Sequence, residues 1–184
     1  MILSLSSFSI AQNSKDTFCV ADKYIWMSTD LDVCTFSNGD SLMLCNNQEQ
    51  WLYAIEKRIP AYCYYEFINQ YKFYNYWAIS DSRSIAPLGW HIATHEEWEI
   101  MLEFYNIRSS VGDKNSKPYH LTESQMYYTI EDNLIEFVSD GVGWYWQDDG
   151  VHYQRYISEI GCPPSIDYII DFCQGALIRC VKDY

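Results

Sequence analysis

Residues 88 to 102, LGWHIATHEEWEIML, gather two histidines, three glutamates and two tryptophans. Imidazole and carboxylate are the side chains of metal ligation and of proton transfer near neutral pH. His91 and His95 are four residues apart, the offset at which two imidazoles on one helix converge on a zinc ion. That geometry needs both residues inside the same helix. Thr94 followed three residues later by Glu97 spells a capping box instead, in which the hydroxyl accepts one orphan N–H and the carboxylate returns to another. His91 then precedes the helix and His95 opens it, so the two rings have no common target. Glu96, Glu97 and Glu99 crowd the first turns, where the helix dipole favours negative charge. Trp98, Met101, Leu102 and Tyr105 follow at i, i+3, i+4 and i+7, one apolar helix face. We assign no metal here, and give Trp90, Thr94, Glu97 and Trp98 structural roles.

Other chemistry is thinner. There is no G-x-S-x-G, and no serine or cysteine stands beside a histidine in a nucleophilic arrangement. The acidic turns at Asn38-Gly39-Asp40, Asp140-Gly141 and Asp148-Asp149-Gly150 leave an adventitious calcium site open, but no D-x-D-x-D-G loop supplies the six to eight oxygens calcium wants. Seven cysteines lie at 19, 34, 45, 63, 162, 173 and 180. None forms a C-x-x-C pair, which removes a zinc ribbon or a thioredoxin-like site. Up to three disulfides and one thiol are expected of an exported chain, with the pairing undetermined by spacing.

The surface candidate is aromatic. The chain holds 17 Tyr, 8 Phe and 7 Trp. In GWYWQDDGVHYQRYIS, Asp149-Gly150 suits a two-residue hairpin turn. That register sets Asp148 opposite Val151, Trp146 opposite Tyr153 and Trp144 opposite Arg155. Trp144, Trp146, Tyr153 and Arg155 then share one face and are the candidate ligand-binding residues, offering stacking and cation–π contacts.

These groups need elements to hold them. KYIWM is a strand candidate, Asn38-Gly39 a tight hairpin turn, and residues 46 to 60 a short helix ending before Pro60. AYCYYEFINQYKFYNYWAI is expected to be extended, residues 107 to 135 polar and loop-rich, and ALIRCV an alternating terminal strand. Residues 1–11 form a signal-peptide remnant, with Ser9-Ile10-Ala11 as a small-x-small cleavage site, although no Lys or Arg precedes the apolar run. Residues 12–184 suit one domain. The export reading places the protein in a secreted or cell-surface setting. Twelve basic against 25 acidic residues leave −13, a field that repels nucleic acid and an anionic membrane surface alike. No apolar stretch after the leader reaches the ~20 residues of a membrane helix.

Several stretches in order resemble the Fibrobacter succinogenes major paralogous domain of exported bacterial proteins. YIWMSTDLDVCTFSNGDSL is similar to its opening, PAYCYYEF and KFYNYWAISDSRSIAPLGWHIATHEEWEIM to its central signature, GWYWQ loosely to its late tryptophan motif, and GALIRCVKD to its ending. The resemblance implies an α+β, C-type-lectin-like fold: small twisted antiparallel sheets, one or two flanking helices and long loops. It adds Trp26 and Arg179 to the structural residues and implies no established activity. Asp30 stands where asparagine is usual, and Ala86 where the family often has a cysteine, which would remove a partner of Cys180 and leave Cys162 or Cys173 as replacements. The Glu-Pro-Asn and Trp-Asn-Asp motifs of calcium-dependent lectins are missing. Fold relatives, the sulfatase-modifying oxidases, bind copper through paired cysteines, so Cys173 and Cys180 are the copper ligands of an enzyme reading, although the R-Y-R-C-type segment is absent. The leading expectation is a non-catalytic module without a cofactor, binding protein or glycan at a bacterial surface through aromatic loops. A third is a structural subunit of a surface assembly.

Overall fold

The computed structural model describes residues 17–20, 23–64, 71–110, 125–129, 134–138, 142–146, 153–158, 167–169 and 174–184. It is a mixed α+β structure of three sheets and three helices among those residues. Strands β1 (Thr17–Val20), β2 (Tyr24–Met27), β13 (Cys180–Asp183) and β6 (His91–Ile92) form a four-stranded antiparallel sheet in that order. A seven-stranded sheet runs β11 (Asp167–Ile169), β10 (Tyr153–Ser158), β9 (Val142–Trp146), β12 (Gly175–Ile178), β5 (Lys72–Asn75), β4 (Ala61–Tyr64), β3 (Met43–Cys45). It is antiparallel except where β12 meets β9 and β3 meets β4. Parallel neighbours need a crossover, and helix α1 (Gln48–Glu56) is the one between β3 and β4. Within the stretch expected to be polar and loop-rich, parts are regular, while residues 111–124 and 130–133 lie outside those described. Helix α3 runs His95–Ser110, and β7 (Gln125–Thr129) pairs with β8 (Leu134–Val138). Polar composition marks exposure, and cross-strand pairing is satisfied by backbone groups whatever the side chains.

The terminal strand explains how the sheets are joined. ALIRCV alternates as expected, but both of its faces are buried, and it breaks at Arg179 so that β12 and β13 enter different sheets. Leu177 and Val181 lie in one core with Trp26, Trp51, Phe73 and Trp98. Ala176, Ile178 and Cys180 lie in a second with Phe36, Tyr62, Tyr74 and Ile85. A strand covered on both sides reads as continuous apolar sequence, and β4 and β5 obey the same rule. Ala61, Cys63 and Phe73 face the first core, and Tyr62 and Tyr74 the second. Helices α1 and α3 close the first core through Trp51, Ala54, Trp98 and Met101. Trp98 meets Trp26 edge to face at 4.9 Å between centroids, a contact worth about 0.5–1.5 kcal/mol beyond burial.

The turn at Asn38-Gly39 is one residue longer than a two-residue hairpin. Phe36 N donates to Asp40 O, Gly39 N donates to Phe36 O, and Gly39 takes φ +93°. This is a three-residue loop with glycine in the left-handed position. A short helix, α2 (Tyr76–Ile79), interrupts the segment expected to be extended. Asn75 starts it by accepting from Ala78 N at 3.0 Å. No helix among the described residues is long and apolar enough to cross a membrane.

Candidate functional site

Helix α3 begins as its first residues dictate. The Thr94 hydroxyl accepts from Glu97 N at 3.3 Å, and Glu97 Oε2 accepts from Thr94 N at 2.8 Å and from the Thr94 hydroxyl at 2.9 Å. The other carboxylate oxygen, Oε1, lies 2.7 Å from His91 Nε2 on β6. Glu97 is buried and His91 half-buried, so this carboxylate ties the helix start to the strand before it. His95 is the first helical residue; the two histidines serve different elements. Trp90 is half-buried, with Lys182 Nζ 4.8 Å over its ring. Among the described residues no group of three His, Cys, Asp or Glu is placed to hold a metal ion.

Arg179 is the most buried cation described, at 1% exposure. Its Nε and Nη2 both donate to Asp30 Oδ1, at 3.0 and 2.5 Å, and its Nη1 donates to the Met27 carbonyl at 3.1 Å. The guanidinium occupies the break between β12 and β13, where the chain changes sheets, and binds the segment leaving β2. Aspartate at position 30 converts this into an ion pair. Ala86 and Cys180 both line the second core.

A second arginine makes a similar contact at the surface. Arg83 donates from Nη2 and Nε to Asp81, at 2.7 and 2.9 Å, and from Nη1 to Asp40 at 2.9 Å. Its guanidinium lies 4.0 Å over the Phe36 ring. Hydrogen bonding from Arg83 holds the Asp81 carboxyl down at about 2 and lowers that of Asp40 as well.

Lys72 pairs with Asp32 at 2.6 Å and sits 5.2 and 5.6 Å over the rings of Tyr62 and Tyr64. The buried Tyr74 hydroxyl accepts from Val33 N and donates toward the Val33 and Leu31 carbonyls. Sequence reasoning missed Asn75, fully buried, which also accepts from Ala61 N and donates to Ile59 O. An asparagine directly before a short apolar run was the available signal.

The aromatic hairpin differs from expectation by one residue. β9 and β10 pair with Trp146 opposite Gln154, Tyr145 opposite Arg155 and Trp144 opposite Tyr156. The two-residue turn would have set Trp146 opposite Tyr153 and Trp144 opposite Arg155. A one-residue slip moves a whole strand to the other face, so Trp144 and Trp146 share register positions with Tyr156 and Gln154. Tyr153 and Arg155 belong to the opposite set with Tyr145. The turn residues Asp149 and Gly150 lie outside those described. Nor is β9 an edge, for β12 pairs along its other side.

Of the thiols, Cys34 is exposed, while Cys45 and Cys180 are buried and pushed up to about 12 by desolvation. Cys162 and Cys173 lie outside the described residues, as do residues 1–11, expected to be a leader, and the expected cleavage site. An open groove of about 600 Å³ runs along α1, lined by Gln48, Glu49, Leu52, Tyr53 and Glu56, with the Tyr53 ring half exposed.

No curated protein and no solved structure matches the chain. The family model of the Fibrobacter succinogenes major domain matches residues 21–160, a span that takes in the capping box, both aspartates of the surface clamp and the aromatic hairpin. The chain belongs to the Fibrobacter succinogenes major domain family.

Proposed function

We propose that this chain is an exported, non-catalytic binding module of C-type-lectin-like fold, which contacts a protein or a glycan at a bacterial cell surface through aromatic side chains of its hairpin. One observation carries the reading: the prominent charged contacts described are clamps between segments. Glu97 joins helix to strand, Arg179 joins the two sheets to the segment after β2, and Arg83 joins one surface loop to another. Groups so engaged hold structure, leaving the aromatic surface for recognition, where tyrosine and tryptophan bury much area at little rotamer cost. Small mixed sheets flanked by helices support the fold assignment.

The register divides the hairpin into two testable faces. Trp144 and Trp146 act as one unit and Tyr153 and Arg155 as another. Residues 12–184 would be assayed against immobilised bacterial and host polysaccharides and cell-surface proteins. The expected result is binding that falls at least tenfold in Trp144→Ala and Trp146→Ala with circular dichroism unchanged. Undiminished binding in both variants and in Tyr153→Ala would overturn the aromatic site.

The copper-oxidase alternative needs Cys173 and Cys180 as reachable thiolates. Cys180 is fully enclosed in the second core and held neutral by burial, which favours the binding reading. Tight Cu(I) uptake lost in Cys180→Ala would reverse that preference. A subunit of a surface assembly would instead show self-association without added ligand.

A further inference from the structure

We propose that Cys45 and Cys63 are a disulfide-forming pair that cross-links β3 to β4 and closes the crossover carrying α1. The two residues are direct partners in the parallel register of these strands. Neighbouring strands lie about 4.7–4.9 Å apart, inside the roughly 4.4–6.8 Å range of Cα separations that a disulfide spans. Both side chains belong to the same buried core, which puts both sulfurs on one face of the sheet. Among the thiols whose surroundings are described, the other two are poorly placed to pair with either residue. Cys34 is exposed, and Cys180 lies in the core on the other side of the seven-stranded sheet.

The position has a mechanical use. β3 is the outermost strand of its sheet, three residues long, and hydrogen-bonded to β4 on one side. A bond at its last residue ties that edge to β4 at the point where the chain turns toward α1. Burial raises both thiols, Cys45 to about 12 and Cys63 well above its ordinary value. Thiols are poor nucleophiles beside thiolates, so the bond forms before α1 covers them, by exchange with a disulfide-bearing oxidant during folding. The thiolate of one cysteine attacks the oxidant's S–S bond, giving a mixed disulfide and one released thiolate. The second cysteine, deprotonated by solvent, attacks the sulfur of the first and expels the other half. Two chain thiols and one external disulfide become one chain disulfide and two external thiols. Once enclosed, the bond is shielded from reductant by the same burial.

The test uses the chain folded in a mixture of oxidised and reduced glutathione. It is then unfolded in denaturant without reductant, alkylated, digested and mapped by mass spectrometry. The expected product is a Cys45–Cys63 linked peptide, lighter by two hydrogens than its two parts. Alkylation of either residue, or linkage of either to another cysteine, overturns the proposal. Thermal unfolding supplies a second readout. The wild-type chain reduced in denaturant and refolded with reductant present is expected to melt on the order of 10 °C lower, the scale set by loop-closure entropy for a short loop in a chain of this size. The double variant Cys45→Ala/Cys63→Ala should lose that part of the reductant dependence. Equal dependence in variant and wild type counts against the cross-link; if the variant does not fold, the wild-type map decides alone.

Discussion

Two arginines of this chain bind aspartates in similar ways, one between the sheets and one on the surface. Arg179 is buried, with Asp30 and the Met27 carbonyl around it. Arg83 is 38% exposed and reaches two carboxylates, Asp81 and Asp40. The surface clamp is the weaker of the two, because water already solvates Arg83 and its partners and would take over their bonds if the clamp opened. Arg179 has no such substitute. Removing Asp30 strands the guanidinium where solvent does not reach, and removing the guanidinium leaves a carboxylate only 14% exposed.

Replacing Arg179 tests this contrast most severely. Arg179→Ala should cost about 3–5 kcal/mol, measured by urea unfolding, whereas a loss below about 1 kcal/mol would mean that the buried pair is no stronger than a surface one. Asp30→Asn keeps the shape of the side chain and removes its charge. Its carbonyl oxygen still accepts from the guanidinium but carries no charge, so a loss of about 1–3 kcal/mol is expected, well under that of Arg179→Ala. Equal losses would show that charge, and not hydrogen bonding, holds the junction. The capping box lies between the extremes. Thr94→Ala should cost about 1 kcal/mol, and native-state hydrogen exchange should locate the effect in the first turn of α3.

Arg83→Ala should have the smallest effect on unfolding stability, because solvent already screens the exposed guanidinium. Its signature is the pH dependence. The Asp81 carboxyl is depressed in the folded state to about 2 from an ordinary value of 3.8. A depressed carboxyl contributes stability that is fully present above its unfolded value and lost as pH falls through the folded one. Wild-type stability should therefore fall between about pH 4 and 2 more than that of Arg83→Ala. Parallel pH profiles would mean that the clamp contributes nothing in solution.

Local features were legible from spacing, and the reasons are visible at named residues. Thr94 and Glu97 are three apart, and their hydrogen bonds close within one helical turn whatever lies outside. α1 stops at Glu56, with Lys57 capping it before Pro60, close to the end that proline suggested. Arg179 and Asp30 are 149 residues apart, and no periodicity in either neighbourhood names the other. The aromatic hairpin lies between these cases. Strand type was readable from alternation, but register depends on the turn actually adopted and on what pairs along the strand's far edge. Here β12 lies along that edge, with Leu177 opposite Tyr145.

The sequence by itself determined the start of α3, the end of α1, the strands around Trp26, Trp144 and Arg179, the acidic balance and the family. Each of these rests on neighbouring residues or on composition, and a short window holds the needed information. Only the tertiary structure decided that the terminal strand separates two cores, that Arg179 sits where it changes sheets, that Cys45 faces Cys63, and which residues of the hairpin share a face. Those outcomes depend on strand order and register, which arise when distant segments bury apolar surface together. In a sheet of period two, a shift of one residue is enough to reverse them.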